Sequence, residues 1–187
     1  VLAVTVVQGI GFRARFAFGD GIYGEKRDAK VDNSDILIGM RTKVWNAENL
    51  SGLLDFMENQ EEAADSLLRL ADQDRRGQEP SSAASLITFG NAPGLHYLLD
   101  LAPALTHSWP DLDTYPSDQM KVELDEAALL SQRPLIILYQ ENGRDLEEEI
   151  AQSLSTEKQK KWRYLQDFLQ DGGYTLLYEN EGFQVFG

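Results

Sequence analysis

Cysteine is absent from the 187 residues, which removes disulfides, thiolate nucleophiles, iron–sulfur clusters and cysteine-ligated zinc together. It leaves the compartment open, because a domain of this length buries enough core to persist outside the cell without cross-links. Histidine is scarce. His96 and His107 are the two, and neither belongs to a His-x-x-x-His or Glu-x-x-His pairing, so no metal is expected from spacing. No run of about 18 apolar residues occurs, so no segment is expected to cross a bilayer as a helix. Basic side chains are outnumbered, 17 Lys and Arg against 31 Asp and Glu, for a net charge of −14. A surface of that sign repels nucleic-acid phosphates and anionic headgroups, so no nucleic-acid partner is expected.

Catalytic signatures are missing too. There is no Gly-x-Ser-x-Gly elbow, no phosphate-binding Gly-x-x-x-x-Gly-Lys-Ser/Thr, and no Gly-x-Gly-x-x-Gly near residue 90. Carboxylates are plentiful, so pairing any two as acid and base would be arbitrary. No catalytic residue and no cofactor are assigned.

What is there is a folded composition, 42 % hydrophobic and 10 % aromatic, arranged as alternating strand and helix signals. Residues 1–18 are rich in β-branched and aromatic side chains and read as extended. Val1–Val7 is either a first strand or the tail of a membrane helix. It lacks an initiator Met and the charged start of a signal peptide, so the chain is expected to be cut from something longer. Residues 19–33 read as a polar loop, and Asp35–Met40 as a short strand or turn. Asn46 is a plausible N-cap for a helix striped by Leu50, Leu53, Leu54 and Met57. A second helix carries Ala64, Leu67, Leu68 and Ala71.

Leu86–Phe89 then reads as a buried strand. It breaks into the turn Gly90-Asn91-Ala92-Pro93-Gly94 before Leu95, Leu98 and Leu99 recur at helical spacing. Prolines stiffen an irregular loop at 102–117. Helix is expected from Asp125 to a stop before Pro134, and Pro134–Tyr139 is a second buried strand. Arg144–Leu154 is an acidic helix. Thr156-x-x-Gln159 matches a capping box for a helix carrying Trp162, Leu165, Phe168 and Leu169 on one face. Gly172-Gly173 ends that helix. The Glu147–Glu149 run and the basic residues from Lys158 to Arg163 read as solvated helix faces that can attract each other. Asn180-Glu181-Gly182 joins the strands of a closing hairpin.

The order predicts an α/β fold. It is a single layered domain over 1–187, with a mixed, mainly parallel sheet flanked by helices and a C-terminal antiparallel hairpin. Ligands of such folds gather beyond the carboxyl ends of strands, which points to the turn at 90–94. The turn could offer N–H groups to an anion, although Pro93 removes one. Asn91, His96, Trp109, Asp111 and Tyr115 are the candidate ligand-binding residues there. Aromatic faces stack on sugar rings while carboxylates and amides bond hydroxyls.

The order of segments also resembles the C-terminal domain of multi-pass membrane glycosyltransferases of the GT-C type. These use polyprenyl-phosphate-linked sugars, in mannosyltransferase-like and aminoarabinose-transferase-like branches. The resemblance is carried by Phe16-Ala-Phe18-Gly-Asp20, by Gly39-Met-Arg-Thr42 ahead of a helix, and by Phe89-Gly-Asn-Ala-Pro-Gly-Leu-His-Tyr97. It continues through Trp109-Pro110, Pro134–Leu138, Trp162–Leu169, Gly173-Tyr174 and Tyr178–Phe186. The glycine-bearing loop at 19–33 and the charge of −14 depart from that pattern.

The resemblance implies a non-catalytic domain on the extracytoplasmic face of the cell membrane. Its implied partners are the upstream membrane domain of the same chain and a glycan or lipid-linked sugar. The family's catalytic carboxylate lies near its N-terminal membrane helices, so it implies no catalytic residue here. Two other readings of the residues stand beside it: a free-standing soluble α/β enzyme using carboxylates, and an acidic protein-interaction module.

Overall fold

The computed structural model describes residues 29–30, 41–42, 47–60, 85–90, 92–130, 132–140 and 143–187. Two apolar runs, Ser85–Phe89 (β3) and Leu135–Tyr139 (β5), are buried on both faces, as central parallel strands are. They pair in parallel, with Leu86 opposite Leu135 and Phe89 opposite Leu138. Ala102–Pro103 (β4) adds a short parallel edge beside Ser85 and Leu86. On the other side Phe183–Phe186 (β7) runs antiparallel to β5, and Leu176–Glu179 (β6) antiparallel to β7. The sheet order is β4-β3-β5-β7-β6. The α/β fold with a mixed sheet and a C-terminal antiparallel hairpin therefore holds, the sheet being partly parallel, with two parallel and two antiparallel pairings, rather than mainly parallel. A separate pairing, Ala29–Lys30 (β1) with Arg41–Thr42 (β2), is also antiparallel.

Period-two alternation sends side chains to two cores. One face takes Ile87, Phe89, Ile136 and Leu138. It is covered by Ser117–Ala127 (α3), Leu146–Ala151 (α4) and Thr156–Asp171 (α5), through Met120, Leu124, Ile150 and Leu165. The opposite face takes Leu86, Ile137, Phe183 and Val185. There the helix at 47–60 (α1) brings Leu50, Leu53, Phe56 and Met57, and Leu95–Leu98 (α2) brings Leu95 and Leu98. Each fully buried aliphatic side chain contributes about 1.5–3 kcal/mol.

The stripe expected over 50–57 packs as read; Asn46, the 64–71 helix, residues 1–18 and Asp35–Met40 lie outside the described residues. Within the 19–33 loop, Ala29–Lys30 form β1 instead, and the rest of it lies outside the described residues. The segment after the central turn is a single helical turn, because Asp100 turns the chain with φ +50° into β4. The 102–117 segment begins as strand, with Ala104 N–H still bonding the Leu86 carbonyl.

Helix α3 starts at Ser117, not Asp125. Pro116 stands at the N-cap, its carbonyl accepting from Met120 N–H at 3.1 Å, and Met120, Leu124 and Ala127 give the buried stripe, while Leu129 lies in solvent. At α5 the N-cap is Ser155, whose Oγ accepts from Lys158 N–H at 3.1 Å. Gln159 instead reaches back to the carbonyls of Ser153 and Ile150, closing the end of α4. At the far end Gly173, with φ +63°, makes the left-handed turn. Gly173 N–H bonds the Gln170 carbonyl and Tyr174 N–H the Leu169 carbonyl, the paired pattern of a Schellman cap.

Candidate functional site

The chain leaves β3 toward α2 on one face of the sheet. It leaves the neighbouring strands β4 and β5 toward α3 and α4 on the other. The carboxyl end of β3 is thus a topological switch point, the position where ligands of open α/β sheets commonly bind. Gly90 makes the exit possible. Its φ is +96°, and a Cβ there would meet the Tyr139 carbonyl oxygen at 2.2 Å, so only glycine fits.

Three segments meet beside it. Thr88, the last-but-one residue of β3, is buried, and its hydroxyl donates to the Ser108 carbonyl at 3.1 Å. The same oxygen lies 3.3 Å from His96 Nε2 of α2. The ring's donor and acceptor roles follow its tautomer, with Thr88 Oγ1 beside Nε2. His96 Nδ1 and Trp109 Nε1 are both shielded from solvent and have no hydrogen-bond partner in the protein. Burial holds His96 below its ordinary value, weakly opposed by the main chain of Leu101 and Ser108. At neutral pH the ring is uncharged.

Of the candidate residues, His96 and Trp109 present these shielded nitrogens. Asn91 lies outside the described residues. Asp111 and Tyr115 point inward: Asp111 is buried near the Lys161 ammonium, and Tyr115 is buried within the core. The Tyr115 hydroxyl donates to Glu123 Oε2 at 2.8 Å, its ring meets His107 at 4.7 Å, and Lys161 Nζ lies 5.5 Å from its centre. Burial, then the Glu123 carboxylate, raises its phenol well above the usual range.

Glu123 also accepts from Thr106 N–H at 2.7 Å and Gln119 at 2.8 Å. Partial burial pushes its carboxyl up, but these bonds outweigh it and hold Glu123 below the ordinary value. Asp113 accepts from Ser155 Oγ at 2.5 Å, and Ser117 N–H donates to Glu157 at 3.0 Å. The loop carrying Trp109 is held at both flanks.

Sequence reasoning overlooks Thr88, Ser108 and Lys161. Lys161 was read with its basic neighbours as solvated, yet it is fully buried. The signal was its register, since Lys161 shares the face of Leu165 and Phe168 at helical spacing. Lys158 does meet Glu149, at 3.1 Å, as the opposed runs suggested.

The anion reading of the turn loses its physical basis. Helix α2 is one turn of four residues, too short to align a useful dipole. A concavity of about 450 Å³ lies elsewhere, between α3 and α5 near the amino end of β5. Its cations are already engaged, Lys121 by Asp125 and Arg133 by the Gly172 carbonyl and the Tyr174 ring. Among the described residues, no group of three or more acidic or histidine side chains is placed to hold a metal ion. None of the described helices is long and apolar enough to cross a membrane. Comparison with family models, with curated proteins and with solved structures finds no match.

Proposed function

We propose that this chain is a non-catalytic recognition domain of a membrane glycosyltransferase, holding a glycan or lipid-linked sugar on the extracytoplasmic face. The observation that carries the reading is the meeting of Thr88, His96 and the Ser108 carbonyl at the switch point, with shielded, unpartnered nitrogens on His96 and on Trp109, the residue after Ser108. A buried polar atom left unpaired costs about 1–3 kcal/mol, so a ligand that pairs both relieves about that much at each. A polyol suits this pairing, because each hydroxyl both donates and accepts, and an indole face packs on the C–H side of a sugar ring. The segment order, running from the helix before β3 to the terminal hairpin, supports the glycosyltransferase context.

The test titrates the 15N-labelled protein with short oligosaccharides, and separately with farnesyl phosphate as a polyprenyl-phosphate analogue. Oligosaccharide binding should shift the Trp109 indole N–H signal and quench tryptophan fluorescence. Trp109→Phe, which keeps an aromatic face and removes the donor, should weaken binding about tenfold. Unmoved Trp109 and His96 signals at millimolar sugar overturn the recognition role. A response to farnesyl phosphate alone assigns the contact to the lipid carrier and overturns the sugar reading. Hydrophobic segments of about 20 residues encoded ahead of Val1 are expected for the membrane context; a secretion leader there overturns it.

A further inference from the structure

Lys161 has no part in the pairing just described, yet it is the most costly residue in the neighbourhood. Its side chain is fully buried on the inner face of α5. Removing an ammonium from water costs several kcal/mol, and an apolar residue would fill a helix face at lower cost. Burial lowers its basicity, opposed by the carboxylates of Asp113, Glu157 and Asp111. The Tyr115 ring offers its face at 5.5 Å, a further attraction for a desolvated cation.

The ammonium donates to one atom, the Leu112 carbonyl oxygen. Leu112 joins two consecutive turns. Its N–H bonds the Trp109 carbonyl at 3.4 Å, and its carbonyl also accepts from Tyr115 N–H at 3.0 Å. A charge-assisted bond at this joint fixes both turns at once. The 3.4 Å contact to Trp109 is long and weak alone.

We propose that Lys161 is the positioning residue of the switch point: its buried ammonium fixes the Leu112 joint and thereby the place of the Trp109 ring. The inference rests on reading the switch point as a ligand site. Lys161 does not touch the ligand. It acts from below, through the main chain of the loop.

The experiment uses the whole 187-residue chain and Lys161→Met, which keeps an unbranched side chain and removes the charge. The Trp109 indole signal, identified by its loss in Trp109→Phe, should shift or split in Lys161→Met. Amides of the 180–183 turn should stay in place. Affinity for a bound oligosaccharide should fall about tenfold. In the unaltered protein, slowly exchanging Lys161 ammonium protons should correlate with the Leu112 carbonyl carbon, which needs no variant to fold. An ammonium exchanging as freely as a surface lysine overturns the proposal.

The two readings fail separately. If the unaltered protein binds oligosaccharide, and Lys161→Met leaves the Trp109 signal and affinity unchanged, the positioning role is overturned and the ligand site stands. If no oligosaccharide binds but Lys161→Met displaces the Trp109 signal, the positioning is supported and the ligand-site reading is overturned.

Discussion

Tyr115 and Glu123 show how a polar contact can be written into a core. The phenol is enclosed, and its proton goes to a carboxylate that two other donors already hold in place. Tyr115→Phe keeps the ring and its packing but leaves that carboxylate one donor short. Glu123 is partly solvated, so the loss should be modest, about 1 kcal/mol in a urea titration. A change indistinguishable from zero would mean water replaces the phenol. At this scale the sequence spoke unevenly. His96 and Trp109 were legible as polar and aromatic residues flanking a strand-exit turn. Tyr115 gave no sign of facing inward, because an aromatic between prolines fits a loop surface as well as a core. Lys161 was hidden by its neighbours: four basic residues within Lys158–Arg163 look solvated until their helical register is drawn.

Elements with a strong period were legible, and those without one were not. The apolar runs of β3 and β5, the stripe of α5 and the hairpin turn at Asn180 needed no tertiary information. Two-residue pairings such as β1–β2 and β4 carry no period and exist only where the fold brings partners together. The start of α3 was masked by Pro116, read as a loop residue although proline is common at a helix entrance. Ser155→Ala, which deletes the α5 cap, should cost about 1 kcal/mol; an unchanged melting midpoint would show the cap to be redundant. Gly90→Ala should be far worse. It places a side chain at positive φ and against the Tyr139 carbonyl, so a loss of about 3 kcal/mol or more is expected in the same measurement. A mild effect would mean the β3 exit can move away from β5.

For the whole molecule, acid is the telling variable. His96 has a depressed folded value against 6.5 when free. Below that free value the unfolded chain takes up the proton more readily, so this contribution is present above about pH 6.5 and lost as the pH falls through the depressed folded value. The Glu157 carboxyl is lowered from 4.5 to about 2, first by the Ser117 main chain, then by the Ser117 hydroxyl and Lys160. Its contribution is present above pH 4.5 and lost on the way down to about 2, and Glu123 acts in the same direction. Two acid steps are therefore expected in urea midpoints measured from pH 7 to pH 2. His96→Gln should flatten the upper one and Glu157→Gln the lower. Coincident curves for variant and parent would refute the assignment. The charge of −14 works the other way, since self-repulsion relaxes toward the isoelectric point near 4.5. Variants must therefore be compared at matched pH.

One bond in the structure also says something about time. The Asn180 side chain donates to the Asn49 carbonyl, and Tyr178 stacks on Phe56 at 4.8 Å, across some 130 residues of chain. Helix α1 can rest early on β3 and α2, through the cluster that joins Leu50 and Leu53 to Leu86, Leu95 and Leu99. The Phe56 and Asn49 end of its seat is supplied by the hairpin, so during synthesis that end stays uncovered until the last residues emerge.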